Sequence, residues 1–135
     1  MPGGFVCSMK SMAKMQGVHP KLVACVKLAM SKYSEVDFYV NEGVRTVQEE
    51  AAHVANGTSK TMNSKHLIQA DGFGHAVDCL PFPFDGNWND PQLLVKLQKI
   101  DDAMQAAALE LDIGVGYGGD WHSFKDYDHW QLDSL

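Results

Sequence analysis

Two stretches of this chain gather the residue types that handle metal ions and protons. One runs from Ser64-Lys65-His66 through Asp71 and Gly72-Phe73-Gly74-His75-Ala76-Val77 to Asp78. The other runs from Gly118-Gly119-Asp120-Trp121 through Asp126 to His129 and Trp130. Each carries an imidazole and carboxylates among glycines, which let a backbone turn closely around a bound group. Two histidines and one aspartate from distant parts of a chain supply three ligands to zinc and leave a fourth position for water. A structural zinc site would instead be closed by four protein ligands. The composition is therefore that of a catalytic metal centre.

Six histidines are present, and they are not equivalent. His19 reads as a helix-start residue and His53 as a residue on a solvated helix face. His75 and His122 flank the two stretches, and for them the ordinary reading is a surface or hydrogen-bonded imidazole. His66 and His129 differ because each is accompanied by a carboxylate in a glycine-bounded turn. No H-E-x-x-H and no paired C-x-x-C is present to fix a metal site by itself.

The elements that position these residues follow from local signals. His19-Pro20 opens a helix whose apolar side is Leu22, Val26, Ala29, Met30 and Tyr33. A short helix over Met9–Met15 precedes it. Val36-Asp37-Phe38-Tyr39-Val40 is a β-prone run, broken by Asn41-Glu42-Gly43. Thr46 and Glu49 fit a capping box, predicting a helix to about Asn56 with Gly57 as its stop, and Arg45 at its mouth. Residues 57–75 are too long for an idle connection, and such loops carry function or move. The expectation is that residues 57–74 are the most mobile internal segment and close over a bound substrate or ion. Ala76–Leu80 reads as a strand stopped by Pro81 and Pro83. Asp90-Pro91 then caps the strongest helix, with the stripe Leu93, Leu97, Ile100, Met104, Ala107 and Leu111. Gly114, Gly116, Gly118 and Gly119 end the helix and lead into the second stretch, and His129–Leu132 is the last strand. The fold expected is a single α+β domain over 1–135, with helices against a small, mostly antiparallel sheet and no second domain.

Composition narrows the partners. A net charge of −6 gives no attraction to nucleic acid or to an anionic membrane. No apolar run approaches the ~20 residues of a membrane span, and no signal-peptide h-region opens the chain. Cys7, Cys25 and Cys79 have no C-x-x-C spacing and read as thiols in a reducing cytoplasm. If Asp78 faces a metal from a strand, Cys79 points the other way, into the core.

The motifs themselves carry a resemblance. Ser64-x-His66 followed by Gly74-x-Ala76-x-Asp78 resembles the S-x-H-x-x-G-x-A-x-D motif of zinc peptidases with the Hedgehog/DD-peptidase fold. Those include VanY-type D-Ala-D-Ala carboxypeptidases and phage L-alanyl-D-glutamate endopeptidases. Gly118-Gly119-Asp120-Trp121 with Asp126-Tyr127-x-His129 looks like the G-G-D-W…D-Y-P-H signature of the phage branch, and Glu42-Gly43-x-Arg45-Thr46 is similar to that branch as well. There are two departures. Five extra residues lie between His66 and Gly74, so a literal count from His66 lands on Phe73. The intact second half makes Asp78 the ligand, with Asp71 as the alternative. Asp128 also stands where the family usually has proline.

The resemblance implies zinc held by His66, Asp78 and His129, with Asp126 as general base and then general acid. It implies that Arg45 stabilises the oxyanion or grips a substrate carboxylate, such as that of D-Glu. Trp121 and Trp130 read as walls. The expected function is an endolysin, acting as a monomer, that cuts the L-Ala–D-Glu bond of peptidoglycan stem peptides. It would be made in the host cytoplasm and released to the cell wall or periplasm at lysis. The alternatives are a D-Ala-D-Ala carboxypeptidase of the same fold and an inactive zinc-binding module. The Asp126-Tyr127-x-His129 form favours the endopeptidase, and intact Asp126 and Arg45 argue against an inactive module.

Overall fold

Ser8 accepts a hydrogen bond from Ser11 N and starts a short helix, α1 (Met9–Lys14), in a computed structural model that describes residues 2–57, 64–123 and 125–135. His19 caps α2 (Pro20–Leu28) by accepting from Lys21 N, with Pro20 in the first turn, and the helix runs on as a π-helical turn over Ala29–Tyr33. The capping box of α3 (Val47–Ala55) is complete. Thr46 Oγ1 accepts from Glu49 N at 3.1 Å and Glu49 Oε1 from Thr46 N at 3.0 Å. Asp90 accepts from Gln92 N to cap α4 (Pro91–Leu111), with Pro91 at its start. Residues 58–63 of the long connection after α3 lie outside the described residues.

The α4 stripe is the keystone of the core. Leu93, Leu97, Ile100, Met104 and Ala107 are all buried. Full burial of a Leu, Ile or Met stabilises by roughly 1.5–3 kcal/mol, so this face, more than helix propensity, fixes α4. The stripe ends a turn sooner than expected. Leu111 is partly exposed, and Asp112 takes a left-handed conformation with φ 57° that closes the helix.

The strands are β1 (Phe38–Glu42), β2 (Ala76–Pro81), β3 (Gly114–Tyr117) and β4 (His129–Ser134), forming one antiparallel sheet in the order β1-β2-β4-β3. Two strand expectations need correction. The first strand begins two residues later than Val36, because the Ser34 hydroxyl donates to Val36 O and accepts from Val36 N, holding that segment in a turn. It then continues through Asn41 and Glu42, with a bulge between Val40 and Glu42. The second correction is β3, which was expected to be loop. Side chains from β4 lie over its glycines, Ser134 Oγ beside Gly114 and Asp133 Oδ2 beside Gly116, in the space a Cβ would take. Val115 and Tyr117 alternate with them and face the core.

The sheet and helices meet at Trp130, which is fully buried, stacks on Tyr117 at 4.9 Å and donates from Nε1 to Asp101 Oδ1 at 3.0 Å. Cys79 is fully buried on the core side of β2, as its neighbour Asp78 requires.

Candidate active site

Strand register brings one row of chemistry across the sheet. Glu42 of β1 is the partner of Asp78 on β2, and Asp78 is the partner of His129 on β4. His66 arrives from the loop above this row. Its backbone N donates to Ser64 Oγ at 3.1 Å, and its carbonyl accepts from Arg45 N at 2.9 Å. The five extra residues after His66 form a small folded-out hairpin. Ile68 pairs with Gly74, Gln69 N donates to Phe73 O, and Gly72 N donates to Gln69 O. The hairpin rejoins the two halves of the motif in space, so Asp78 meets His66. Asp71, the alternative ligand, instead pairs with His75 at 2.7 Å and lies 3.8 Å from His19.

His66 Nε2 lies 3.1 Å from Asp78 Oδ1, and His129 Nδ1 lies 3.3 Å from the same oxygen. All three side chains are buried, and their ligand atoms lie within 4.8 Å of one another. Zinc bonds of ~2.0–2.2 Å in a tetrahedral set place ligand atoms roughly 3.4 Å apart, so the spacing fits such an ion. The hydrogen bonds behind the imidazoles fix which nitrogens point inward. His66 Nδ1 faces Gly43 O at 2.7 Å, and a carbonyl only accepts, so Nδ1 carries the proton. Gln131 donates its amide to Asp133, which turns its oxygen toward His129 Nε2 at 2.9 Å, so Nε2 carries the other proton. Two imidazole lone pairs and a carboxylate oxygen therefore converge on one point. Such a convergence is satisfied by a bound cation or, in its place, by protons on the imidazoles that donate to Asp78.

The electrostatics agree. Burial drives the Asp78 carboxyl up, but hydrogen bonds from His129 and His66 outweigh it and hold the group well below the ordinary carboxylate range. Burial pulls the His66 imidazole down, yet Asp78 beside it wins and its pKa is raised.

Arg45 is buried and firmly held. Its Nε and Nη2 form a fork on the Glu42 carboxylate at 2.8 and 2.9 Å, and Nη1 donates to the fully buried Glu50 at 2.6 Å. Nη2 also lies 3.9 Å from Asp78 Oδ2. Burial lowers the guanidinium pKa, but Glu42 and Glu50 reverse this and raise it, so the charge is permanent. The fork is thus engaged by Glu42 rather than open, against the expectation of an arginine free to grip a substrate carboxylate, and the Glu42 and Glu50 carboxylates more than offset its charge. Glu42 and Glu50 are functional neighbours to which sequence reasoning gave no role. Glu50 stands five residues after Arg45 in the first turn of α3, and nothing in the capping pattern separates its inward carboxylate from that of Glu49.

Asp126 sits in the turn before β4, its N donating to Gly118 O at 3.0 Å, with the Gly118 Cα packed against the Asp126 backbone. Its carboxylate is 35% exposed, against 11% for Asp78, and lies 3.9 Å from His129 Nδ1. It faces both the ligand set and solvent. Asp128 completes an acidic trio with Asp78 and Asp126. Burial, then the Asp78 and Asp126 carboxylates, push its pKa up to about 9. Trp121 packs against His129 at 5.1 Å, a wall as expected. His19 and His75 gather around Asp71, His122 is exposed, and His53 lies on α3, so none joins the triad.

A family described as phage L-alanyl-D-glutamate peptidase matches residues 3–133. The chain belongs to that family. It is 34% identical over 115 residues to the L-alanyl-D-glutamate peptidase of Escherichia phage T5, covering 82% of this chain and 77% of that one. It is 30% identical over 118 residues to the enzyme of the same name from Listeria phage A118, covering 84% of this chain but 36% of that longer protein. Among solved structures, the Serratia marcescens L-Ala D-Glu endopeptidase ChiX superposes with a TM-score of 0.76 at 36% identity, over 92% of this chain and 86% of its own.

Proposed function

We propose that this chain is a zinc-dependent endopeptidase that hydrolyses the L-Ala–D-Glu bond of peptidoglycan stem peptides, serving as an endolysin in host lysis. The observation that carries the metal is the convergence of His66 Nε2, Asp78 Oδ1 and His129 Nδ1, each backed so that a lone pair points inward. Zinc, when bound there, supplies Lewis acidity that polarises the scissile carbonyl and makes water nucleophilic near neutral pH.

The chain's own residues do the rest. Asp126, exposed beside the triad, takes the proton of the attacking water and returns it to the leaving amine of D-Glu. Arg45, clamped by Glu42 and Glu50 and 3.9 Å from Asp78 Oδ2, favours the ionised form of the Asp78 carboxylate, its fork being taken up within the clamp rather than turned to substrate. Gly43 O and Gln131 keep the imidazoles in the correct tautomers. In this reading the protein acts as a monomer, with one domain sufficient for the reaction. It is made in the host cytoplasm and reaches the wall when lysis releases it.

The test is metal dependence. Protein stripped with a chelator should release no peptides from purified peptidoglycan and regain its rate with about one equivalent of zinc. A rate indifferent to chelation, with zinc absent by elemental analysis, would contradict the reading.

A further inference from the structure

Asp126 takes its place from the backbone around it. Its amide donates to Gly118 O at 3.0 Å, and its carbonyl accepts from His129 N at 3.2 Å. The same Gly118 carbonyl accepts from Trp121 N at 3.3 Å, so one acceptor ties both Asp126 and the aromatic wall on His129. The Asp126 peptide also lies directly against Gly118. A Cβ at position 118 would overlap the Asp126 carbonyl oxygen and stand 3.0 Å from the Asp126 Cβ. Overlap with backbone is relieved only when one of the two chain segments moves.

Which segment would move follows from what stands behind each. Gly118 continues from β3, where Tyr117 is the strand partner of Trp130. Gly119 rests on the Tyr117 ring so closely that a Cβ there would overlap it. That ring is buried and stacked on Trp130, whose indole N–H is held by Asp101. The Gly118 side is therefore backed by the core. On the other side Asp126 stands in the turn before β4, between the exposed Lys125 and Tyr127. His129 beyond that turn is fixed by strand pairing with Asp78 and by Gln131 behind its Nε2. A methyl group at position 118 thus displaces the Asp126 peptide and leaves the three ligands in place.

We infer that Gly118 is a positioning residue for the general base: with no side chain there, the Asp126 backbone seats on the end of β3, and that seating aims the carboxylate at the ligand set. The inference rests on the role of Asp126 in the endopeptidase reading above.

A double-mutant cycle of Gly118→Ala and Asp126→Ala tests it, using zinc-loaded protein and a soluble stem peptide that contains the L-Ala–D-Glu bond. A ~1 Å misplacement of a reacting group costs about 10²-fold, so Gly118→Ala should lower kcat by about that factor with KM unchanged. Elemental analysis should still find about one equivalent of zinc. In the Asp126→Ala background the same substitution should cost less than about two-fold, since no carboxylate is left to misplace. A further fall of about 10²-fold in that background would mark a general structural effect and overturn the positioning role. Parental kcat or lost zinc in Gly118→Ala alone would overturn it too.

Asp126→Glu covers the case in which Gly118→Ala does not accumulate as folded protein. On a seated backbone its carboxylate overshoots by one methylene, and kcat should fall at least about ten-fold. A near-parental kcat would show a backbone free to adjust and would overturn the seating. Parental activity in Asp126→Ala would instead remove Asp126 as the base, and a parent protein that leaves the peptide uncut would overturn the endopeptidase reading. A slow Asp126→Ala beside a parental Gly118→Ala would sink the positioning role alone.

Discussion

Replacing Asp126 by alanine should leave a folded, zinc-loaded protein whose rate on purified peptidoglycan falls by about 10²–10⁴-fold, the usual worth of general acid–base help. The expectation follows from where the side chain stands. Asp126 is held through its backbone, by Gly118 O and by its own carbonyl accepting from His129 N, so the turn does not depend on the carboxylate. That carboxylate is more exposed than those of Asp78, Glu42 and Glu50, near His129 but outside the His66–Asp78–His129 set. The rival is Asp128, which lies within reach of both Asp126 and Asp78. Burial and the neighbouring Asp78 and Asp126 carboxylates raise its pKa, so it holds a proton more readily than an ordinary aspartate, and the motif it departs from has proline at this position. Asp128→Pro should therefore stay near the parental rate. Its backbone carbonyl, which accepts from Cys79 N, survives that change. An inactive Asp128→Pro beside an active Asp126→Ala would reverse the assignment, and zinc loss in Asp126→Ala would make Asp126 a ligand.

The second large effect is on the metal. His66→Ala, Asp78→Ala and His129→Ala should each purify without zinc and without measurable activity, because two ligands leave too open a set to hold the ion at this site. Asp78 is the most informative of the three. Its Oδ1 is the point where both imidazoles meet, and its removal also takes away a carboxylate 3.9 Å from Arg45. Asp71→Ala should keep its zinc, since Asp71 is engaged with His75 and His19 on the folded-out hairpin. Elemental analysis of the four proteins decides it. Full zinc in Asp78→Ala with loss in Asp71→Ala would transfer the ligand role to Asp71.

What could be read from the sequence divides by the range of the forces involved. Helix starts were legible because capping is local: His19-Pro20, Thr46 with Glu49, and Asp90-Pro91 each hold their own first turn. The stripe on α4 was legible because its period is local as well. β3 was not, because Gly114 and Gly116 answer to the side chains of Ser134 and Asp133, some twenty residues later, and by themselves they look like breakers. Within the site, His66, Asp78 and His129 could be placed through the ordered motifs. The hairpin that reconciles the five-residue excess could not, since its closing pair, Ile68 with Gly74, is seen only once the chain folds back. Gln131 was within reach, as it lies two residues after His129 on the same strand and hence the same face. The Glu42–Arg45–Glu50 clamp was not, because it joins a strand end to a helix through side chains alone.

The most direct test is mass analysis of the peptides that the zinc-loaded protein releases from purified peptidoglycan. The account predicts fragments with a new free amino terminus on D-Glu, while L-Ala stays with the glycan strand. Loss of only a terminal D-Ala, with the L-Ala–D-Glu bond intact, would contradict it and mark the protein as a carboxypeptidase.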